Sequence, residues 1–418
     1  MTFEELQRLL DIEVLTVMDQ HCADDPLSFA MQFHSHKEIP VRAIAEQLAC
    51  RKKAAKKLPH FSKLQFLYTP LALEQASGER TAQYKTSLMS GKRVIDLSGG
   101  LGVDSMFLSR VFQEVVYCER DALLCALFQH NLKQGGITNV QVKNAESIDL
   151  LSSYPDDFFD WIYVDPARRE QGRRSIGLES ASPNVIACHE TFLCKSERVC
   201  IKASPALELS GLKELLPLLQ SIIVVSVDRE CKEILLLLDR NGLHKTPSFR
   251  AVCLSSALDV VTEVTGGDAI EKTIASSLKN YIYEPDAAII KAKLTAKLAR
   301  DFSLEFMNNT VDYLTSDLLL DSFPGRTFRM IECVLYKPKT FRTFLERHNI
   351  TGASIQRRDF PHSPEEMRKK YRLLESDRAY LLFTRDVEER PVAVYCLRYF
   401  PEGGEVLSGL YRNAGPGC

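Results

Sequence analysis

Two apolar runs, residues 221–227 and 233–239, are separated by only five residues, Asp228-Arg229-Glu230-Cys231-Lys232. Five residues can turn a hairpin, whereas a crossover between parallel strands needs a dozen or more. The second run is therefore expected to be an antiparallel strand. Upstream the spacing is different. Short apolar runs at 94–97, 114–119, 139–146, 159–164 and 198–204 are separated by helix-length segments. That pattern describes parallel strands joined by crossover helices, so the antiparallel pair closes an otherwise parallel sheet.

The first of these runs leads into Asp96-Leu97-Ser98-Gly99-Gly100-Leu101-Gly102-Val103-Asp104 and then an amphipathic stretch with Met106, Phe107, Leu108, Val111 and Phe112. Glycine lacks a Cβ, so a strand passing through such a turn brings its backbone close to a ligand. The helix start behind it offers free N–H groups and a positive dipole end. The second run stops on Glu119, about twenty residues on, the usual place for a carboxylate that accepts ribose hydroxyls. Residues 121–133 read as a helix with Ala122, Leu123, Ala126, Leu127 and His130 inward. The remaining runs close on Asn144-Ala145-Glu146, on Asp165-Pro166-Ala167-Arg168-Arg169 and on Lys202-Ala203-Ser204-Pro205. All these polar ends fall at the C-terminal side of parallel strands, where doubly wound sheets hold their ligands.

A wholly parallel sheet would suit a dinucleotide dehydrogenase; the terminal hairpin does not. On the residues just quoted, 86–245 resembles class I S-adenosylmethionine-dependent methyltransferases. The whole chain resembles the bacterial group that carries a C-terminal THUMP-like domain. The resemblance implies an α/β, Rossmann-like seven-stranded methyltransferase sheet with its last strand antiparallel. An N-terminal helical region and a C-terminal α+β module complete that fold class. It also implies S-adenosyl-L-methionine as cofactor and methyl transfer as the reaction.

By the same resemblance Asp96, Ser98, Gly99, Gly100, Gly102 and Asp104 would hold the methionine portion, with Asp96 orienting the ammonium group. Glu119 would hold the ribose, and Glu146 or the backbone of Ala145 would meet the adenine amine. Asp165, Pro166 and Arg168 fall where amino-methylating enzymes carry an acid or amide, two prolines and an aromatic. Here the second proline is Ala167 and the aromatic is Arg168. An arginine plane can stack on a base or grip a phosphate, but it does not sandwich a base as an aromatic pair does. Asp165 is the candidate for orienting the nucleophile or taking its proton. Arg169, Lys202 and Ser204 are candidate substrate contacts, with Arg173 and Arg174 further along; a surface loop of paired arginines is the alternative. No cysteine stands in a context suited to carbon-5 pyrimidine methylation, which disfavours a covalent mechanism.

Residues 1–85 read as helical. Phe3, Leu6, Leu9, Leu10, Ile12 and Leu15 recur at helical spacing, and a second helix is expected over 40–57. Its run Arg51-Lys52-Lys53-Ala54-Ala55-Lys56-Lys57 is either a solvated face or a phosphate-contacting one. Residues 68–77 precede the first sheet strand, where by analogy Gln75 or Ser77 would touch the cofactor; a helix cap or plain packing is the alternative. Beyond Asp239, strands are expected at 251–254 and 260–263, then 281–285 leading into a helix over 286–298. Strands at 328–336, 353–358, 379–384 and 392–399, with helices opening at Pro338 and Pro364, read as a small module of strands with helices on one face. The expected divisions are 1–85, 86–245, a connecting α+β region 246–335 for which a ferredoxin-like arrangement is one option, and a THUMP-like domain 336–412.

The chain has 418 residues, more than one ordinary core accommodates. A net charge of −2 neither demands nor excludes a nucleic-acid partner, because a local basic face suffices. The last module gathers Lys337, Lys339, Arg342, Arg347, Arg357, Arg358, Arg368, Lys369, Lys370 and Arg372, diluted by Glu346, Asp359, Glu365 and Glu366. RNA is the expected partner, structured rRNA or tRNA. The alternatives are a methyltransferase for a protein or small anionic molecule, and a non-catalytic RNA-binding protein that retains the cofactor pocket. Twelve cysteines without a CxxC pair, and histidines without ligand spacing, point to reduced thiols, no metal and a cytoplasmic protein. Neither a signal peptide nor a membrane span is expected.

Overall fold

The computed structural model describes residues 1–36, 38–168, 178–242, 246–256, 261–267 and 270–400. Contacts divide the chain into two compact units. One comprises 1–227, 232–248 and 254–259; the other comprises 228–231, 249–253 and 260–418.

In the first unit the strands are β1 (Gly91–Asp96), β2 (Phe112–Glu119), β3 (Val140–Asn144), β4 (Phe159–Val164), β5 (Ser196–Ala203), β6 (Leu219–Val227) and β7 (Glu230–Asp239). They lie in the order β3-β2-β1-β4-β5-β7-β6. β1 is parallel to β2 and β4, β2 to β3, and β4 to β5. β7 runs antiparallel to β5, with Lys202 opposite Leu235 and Ala203 opposite Ile234. The hairpin is tighter than the five residues suggest: Asp228 and Arg229 alone turn it, at φ 50° and 69°. Two residues at positive φ make the turn whose twist matches the flanking strands. The two strands expected beyond the hairpin are present, at Ser248–Leu254 (β8) and Val261–Gly266 (β9).

Parallel strands buried on both faces read as near-continuous apolar runs, and β4 and β6 do so here. The helices that follow β1 and β2 share one core with the N-terminal helices, where Leu9, Met18, Phe29, Ile44 and Leu48 join Phe107, Tyr117 and Phe128. The periodic stretch near the start is two helices, not one: Phe3–Leu9 and Ile12–Gln20. Asp11 breaks it, taking an extended conformation at the head of the second helix. In the Val41–Lys57 helix the basic run is divided. Arg51 bonds Asp19 at 2.8 Å and Lys57 donates to the carbonyls of Leu73 and Glu74, while Lys52, Lys53 and Lys56 are exposed.

The extended segment that follows is held by two buried amides. Gln47 exchanges both of its amide bonds with the Tyr68 backbone, at 2.7 and 2.9 Å, and Asn131 does the same with Leu67, at 2.9 Å each. Each side chain satisfies a donor and an acceptor that a neighbouring strand would otherwise pair. Thr69 then caps the Pro70–Gln75 helix, and the Glu79–Ser87 helix leads into β1.

The second unit contains a seven-stranded sheet built from Tyr281–Pro285 (β10), Glu305–Phe306 (β11), Leu314–Ser316 (β12), Gly325–Leu335 (β13), Ser354–Arg357 (β14), Tyr380–Arg385 (β15) and Pro391–Tyr399 (β16). Their order is β11-β12-β10-β13-β16-β15-β14. Helices Pro338–Arg347 and Pro364–Tyr371 pack Phe341, Phe344, Leu345 and Met367 on one face, against Leu381, Phe383 and Ala393. The other face buries Ile282, Tyr313, Phe328, Leu382 and Val394. Alternate residues of β15 serve the two faces, as a period of two requires. The helix expected over 286–298 is instead two short ones, Ala287–Lys291 and Thr295–Asp301, parted at Lys293 with φ 59°.

Candidate functional site

The glycine turn after β1 is shaped from beneath by two stacked rings, Tyr117 from β2 and Phe128 from the next helix, 4.1 Å between centroids. A Cβ on Gly99 would stand 2.3 Å from the Tyr117 ring, and one on Gly102 would stand 2.1 Å from Phe128. Gly102 also sits at φ 81°, a region costly for any residue with a side chain. The Tyr117 hydroxyl donates to the Gly100 carbonyl at 2.6 Å and fixes the turn's height. The strand-end acids are placed around this turn. Glu119 accepts the backbone N–H groups of Gly100 and Asp121, both at 2.9 Å. Asp96 is buried under the turn, one oxygen accepting from the Ser98 N–H and hydroxyl at 3.0 and 3.1 Å, the other from the Ser105 hydroxyl at 2.6 Å. Burial outweighs those hydrogen bonds and pushes the Asp96 carboxyl up to about 7.

Asp104, in the first turn of the Val103–Leu108 helix, has a different setting. Its Oδ2 accepts the Ser77 hydroxyl at 2.8 Å and the Tyr163 hydroxyl at 2.9 Å. Lys85 Nζ stands 3.1 Å from its Oδ1 and also donates to the Ser77 oxygen and to both oxygens of Glu233, at 2.8–3.0 Å. Burial alone would raise Asp104, but Lys85 and Lys202 more than offset it and hold the group below the ordinary carboxylate range. For Lys85, burial opposes the charge while Asp104 and Glu233 favour it, and the balance lies above the ordinary lysine value.

At the ends of β4 and β5, Lys202 Nζ bonds Asp165 Oδ2. Burial disfavours the Lys202 charge, yet Asp165, Glu233 and Asp104 together raise its pKa. The Asp165 N–H donates to the Ser98 hydroxyl at 2.6 Å, tying the β4 end to the glycine turn.

These groups surround one cleft of about 1080 Å³. Ser98, Gly99, Gly100, Gly102, Asp104, Glu119, Ala145, Glu146, Asp165, Pro166, Lys202 and Ser204 all line it, as do Gln75 and Ser77. Asp96 is 1% exposed and lies behind the wall. The backbone of Ala167 and Arg168 pairs with Ala181 and Ser182. The Arg168 side chain and Arg169, Arg173 and Arg174 lie outside what the structure describes. Sequence reasoning overlooked Lys85, Tyr163 and Glu233. Their only signal was a lysine on a helix and an acid at the head of an apolar run, and neither type reveals burial by itself.

The cleft combines a close-approach turn, an acid at the end of β2 and further carboxylates, Asp104 and Asp165, along its wall. The chain is 24% identical, over 82% of its length and 92% of the relative's, to an uncharacterized S-adenosylmethionine-dependent methyltransferase of Mycobacterium tuberculosis. A crystal structure of a Porphyromonas gingivalis W83 protein assigned as a methyltransferase covers 96% of this chain and all of its own, with 25% identity and a TM-score of 0.81. A shorter match, 28% identity over about a third of each chain, is to the 23S rRNA (uracil(1939)-C(5))-methyltransferase RlmD of Aeromonas salmonicida. The family model described as THUMP domain-like matches residues 325–398. The protein is thus a class I S-adenosylmethionine-dependent methyltransferase. More narrowly, it is one that carries a C-terminal THUMP-like domain, formed by β13 to β16 and their two helices.

Proposed function

We propose that this methyltransferase acts on structured RNA, ribosomal or transfer RNA. The reading is carried by the joining, in one chain, of the cofactor cleft and a THUMP-like domain. The partial likeness to an rRNA methyltransferase supports it. Lys202, Lys232 and Pro166 border the reactive side of the cleft, and Lys57 feels the charges of Lys202 and Lys232 after burial has already lowered it, to about 8. A concentration of cationic groups suits a substrate whose reacting atom lies near phosphates.

When bound, S-adenosylmethionine supplies an electrophilic methyl group on a sulfonium. Glycines 99, 100 and 102 would pass beneath its methionine portion, Glu119 would receive the ribose hydroxyls, and Glu146 or the backbone of Ala145 would meet the adenine. Asp165 accepts a hydrogen bond from the substrate nucleophile and aims its lone pair along the line of displacement. Lys202 pairs with that carboxylate until substrate replaces it, and the nucleophile's proton passes to Asp165. Pro166 stiffens the strand end, and Ser204 contacts the substrate. A covalent route by cysteine is disfavoured. Cys118 lines the cleft on the β2 side, where it donates to the Ala145 carbonyl and burial pushes its pKa up to about 12, far from a thiolate at neutral pH. We also propose a cytoplasmic location, which the scattered free thiols support.

The test is transfer of labelled methyl to RNA and protein fractions from cells lacking the gene, with Asp165→Ala protein as control. Label in an RNase-sensitive fraction that the variant does not produce supports the proposal. Label in protein or in small molecules replaces it with the corresponding substrate class.

A further inference from the structure

Lys85 and Glu233 touch no part of the cleft surface, yet they are bonded to the two groups, Ser77 and Asp104, that do. Lys85 is 1% exposed, and two carboxylates share its single charge. Lys202, paired with Asp165, also acts on this cluster, so two lysines face three carboxylates, formally one negative charge in excess, and Asp104 opens it to the cleft. An unbalanced charge in so dry a place is costly unless a ligand completes it. Asp96 offers no such outlet, since it is 1% exposed and lies behind the cleft wall, whereas Asp104 lines the cleft.

Position distinguishes the ends of the ligand. Glu119 stands at the end of β2, on one side of β1, whereas the partners of Asp104 come from β4, β7 and the segment before β1. A nucleoside whose ribose meets Glu119 therefore extends its other end towards Asp104. We propose that Asp104, rather than Asp96, receives the ammonium group of the cofactor's methionine end. Lys85 and Glu233 are the positioning residues that keep Asp104 aimed and one charge short of neutral. The inference rests on the cleft as the cofactor site and adds to it which carboxylate recognises the cation and which buried pair sets its charge.

Calorimetry on the full chain separates these roles with two probes, S-adenosylhomocysteine and 5′-methylthioadenosine, which share the nucleoside and thioether but differ in the amino-acid end. Asp104→Asn is expected to weaken S-adenosylhomocysteine about tenfold or more and leave methylthioadenosine within about twofold, as loss of a charged partner predicts. Glu233→Gln cancels the excess charge while keeping Lys85 paired, and is expected to weaken S-adenosylhomocysteine alone, by roughly threefold to tenfold. Lys85→Met leaves two carboxylates uncompensated and risks failing to fold, so the Glu233 variant carries the positioning claim. Asp96→Asn is expected to leave both affinities within about twofold. Equal losses for both probes in Asp104→Asn, or a selective loss confined to Asp96→Asn, would overturn the proposal and leave the cleft intact. Failure of the unaltered protein to bind either probe would overturn the cleft and the proposal together.

Discussion

Two carboxylates eight residues apart, Asp96 and Asp104, are both buried and yet titrate in opposite directions. Asp96 has only neutral donors around it, and burial wins; Asp104 has Lys85 and Lys202, and the cations win. The folded pKa of Asp96 lies above its unfolded value, so the stability it confers is complete below about pH 4 and is lost as pH rises through about 7. Asp96→Asn should therefore gain stability relative to the unaltered protein between pH 5 and pH 8, on the order of 2 kcal/mol, in paired urea titrations. A difference that does not change with pH would mean that Asp96 is ionised throughout. Glu119→Ala should weaken cofactor binding by about 1–3 kcal/mol in calorimetry, the loss of a charged acceptor for two hydroxyls. Asp165→Ala should abolish methyl transfer while cofactor affinity stays close to normal, and retained turnover would remove Asp165 from the chemistry.

Among the elements, the glycine turn tolerates least. Gly102→Ala adds a Cβ 2.1 Å from the Phe128 ring at a φ of 81°, and should destabilise the protein by about 2–4 kcal/mol in urea unfolding. This turn and the β6–β7 hairpin were legible in the sequence because each is fixed locally, by residue type in one case and by chain length in the other. Glu119, Asp165 and Lys202 were legible for the same reason, since a strand end announces itself where an apolar run stops. What was not legible depends on packing across the chain. Lys85 and Glu233 are 148 residues apart and meet only in the fold. The break at Lys293 likewise has no sequence mark, because a lysine at positive φ carries none of the signals of a glycine.

For the molecule as a whole, function turns on where charge is placed. Net charge is −2, but the THUMP-like domain exposes Lys337, Lys339, Arg342, Lys369 and Arg372 on and beside its two helices. If these meet RNA phosphates, affinity should fall linearly on a log–log plot against salt, and Lys337→Glu with Lys369→Glu should lower the slope by about 2. An unchanged slope in filter binding would place the phosphate contacts elsewhere.

The two buried amides beneath the Leu67–Tyr68 segment have a consequence for how the enzyme can be divided. Gln47 comes from the N-terminal helices and Asn131 from the helix after β2, and the strip they grip leads straight into the cleft wall at Thr69. The catalytic half is thus laced shut by groups on both sides of its own first strand. A minimal cassette cut to the sheet alone would lose one lace and leave the other amide wanting, so the helices that precede the sheet belong to the working part of the enzyme rather than to its wrapping.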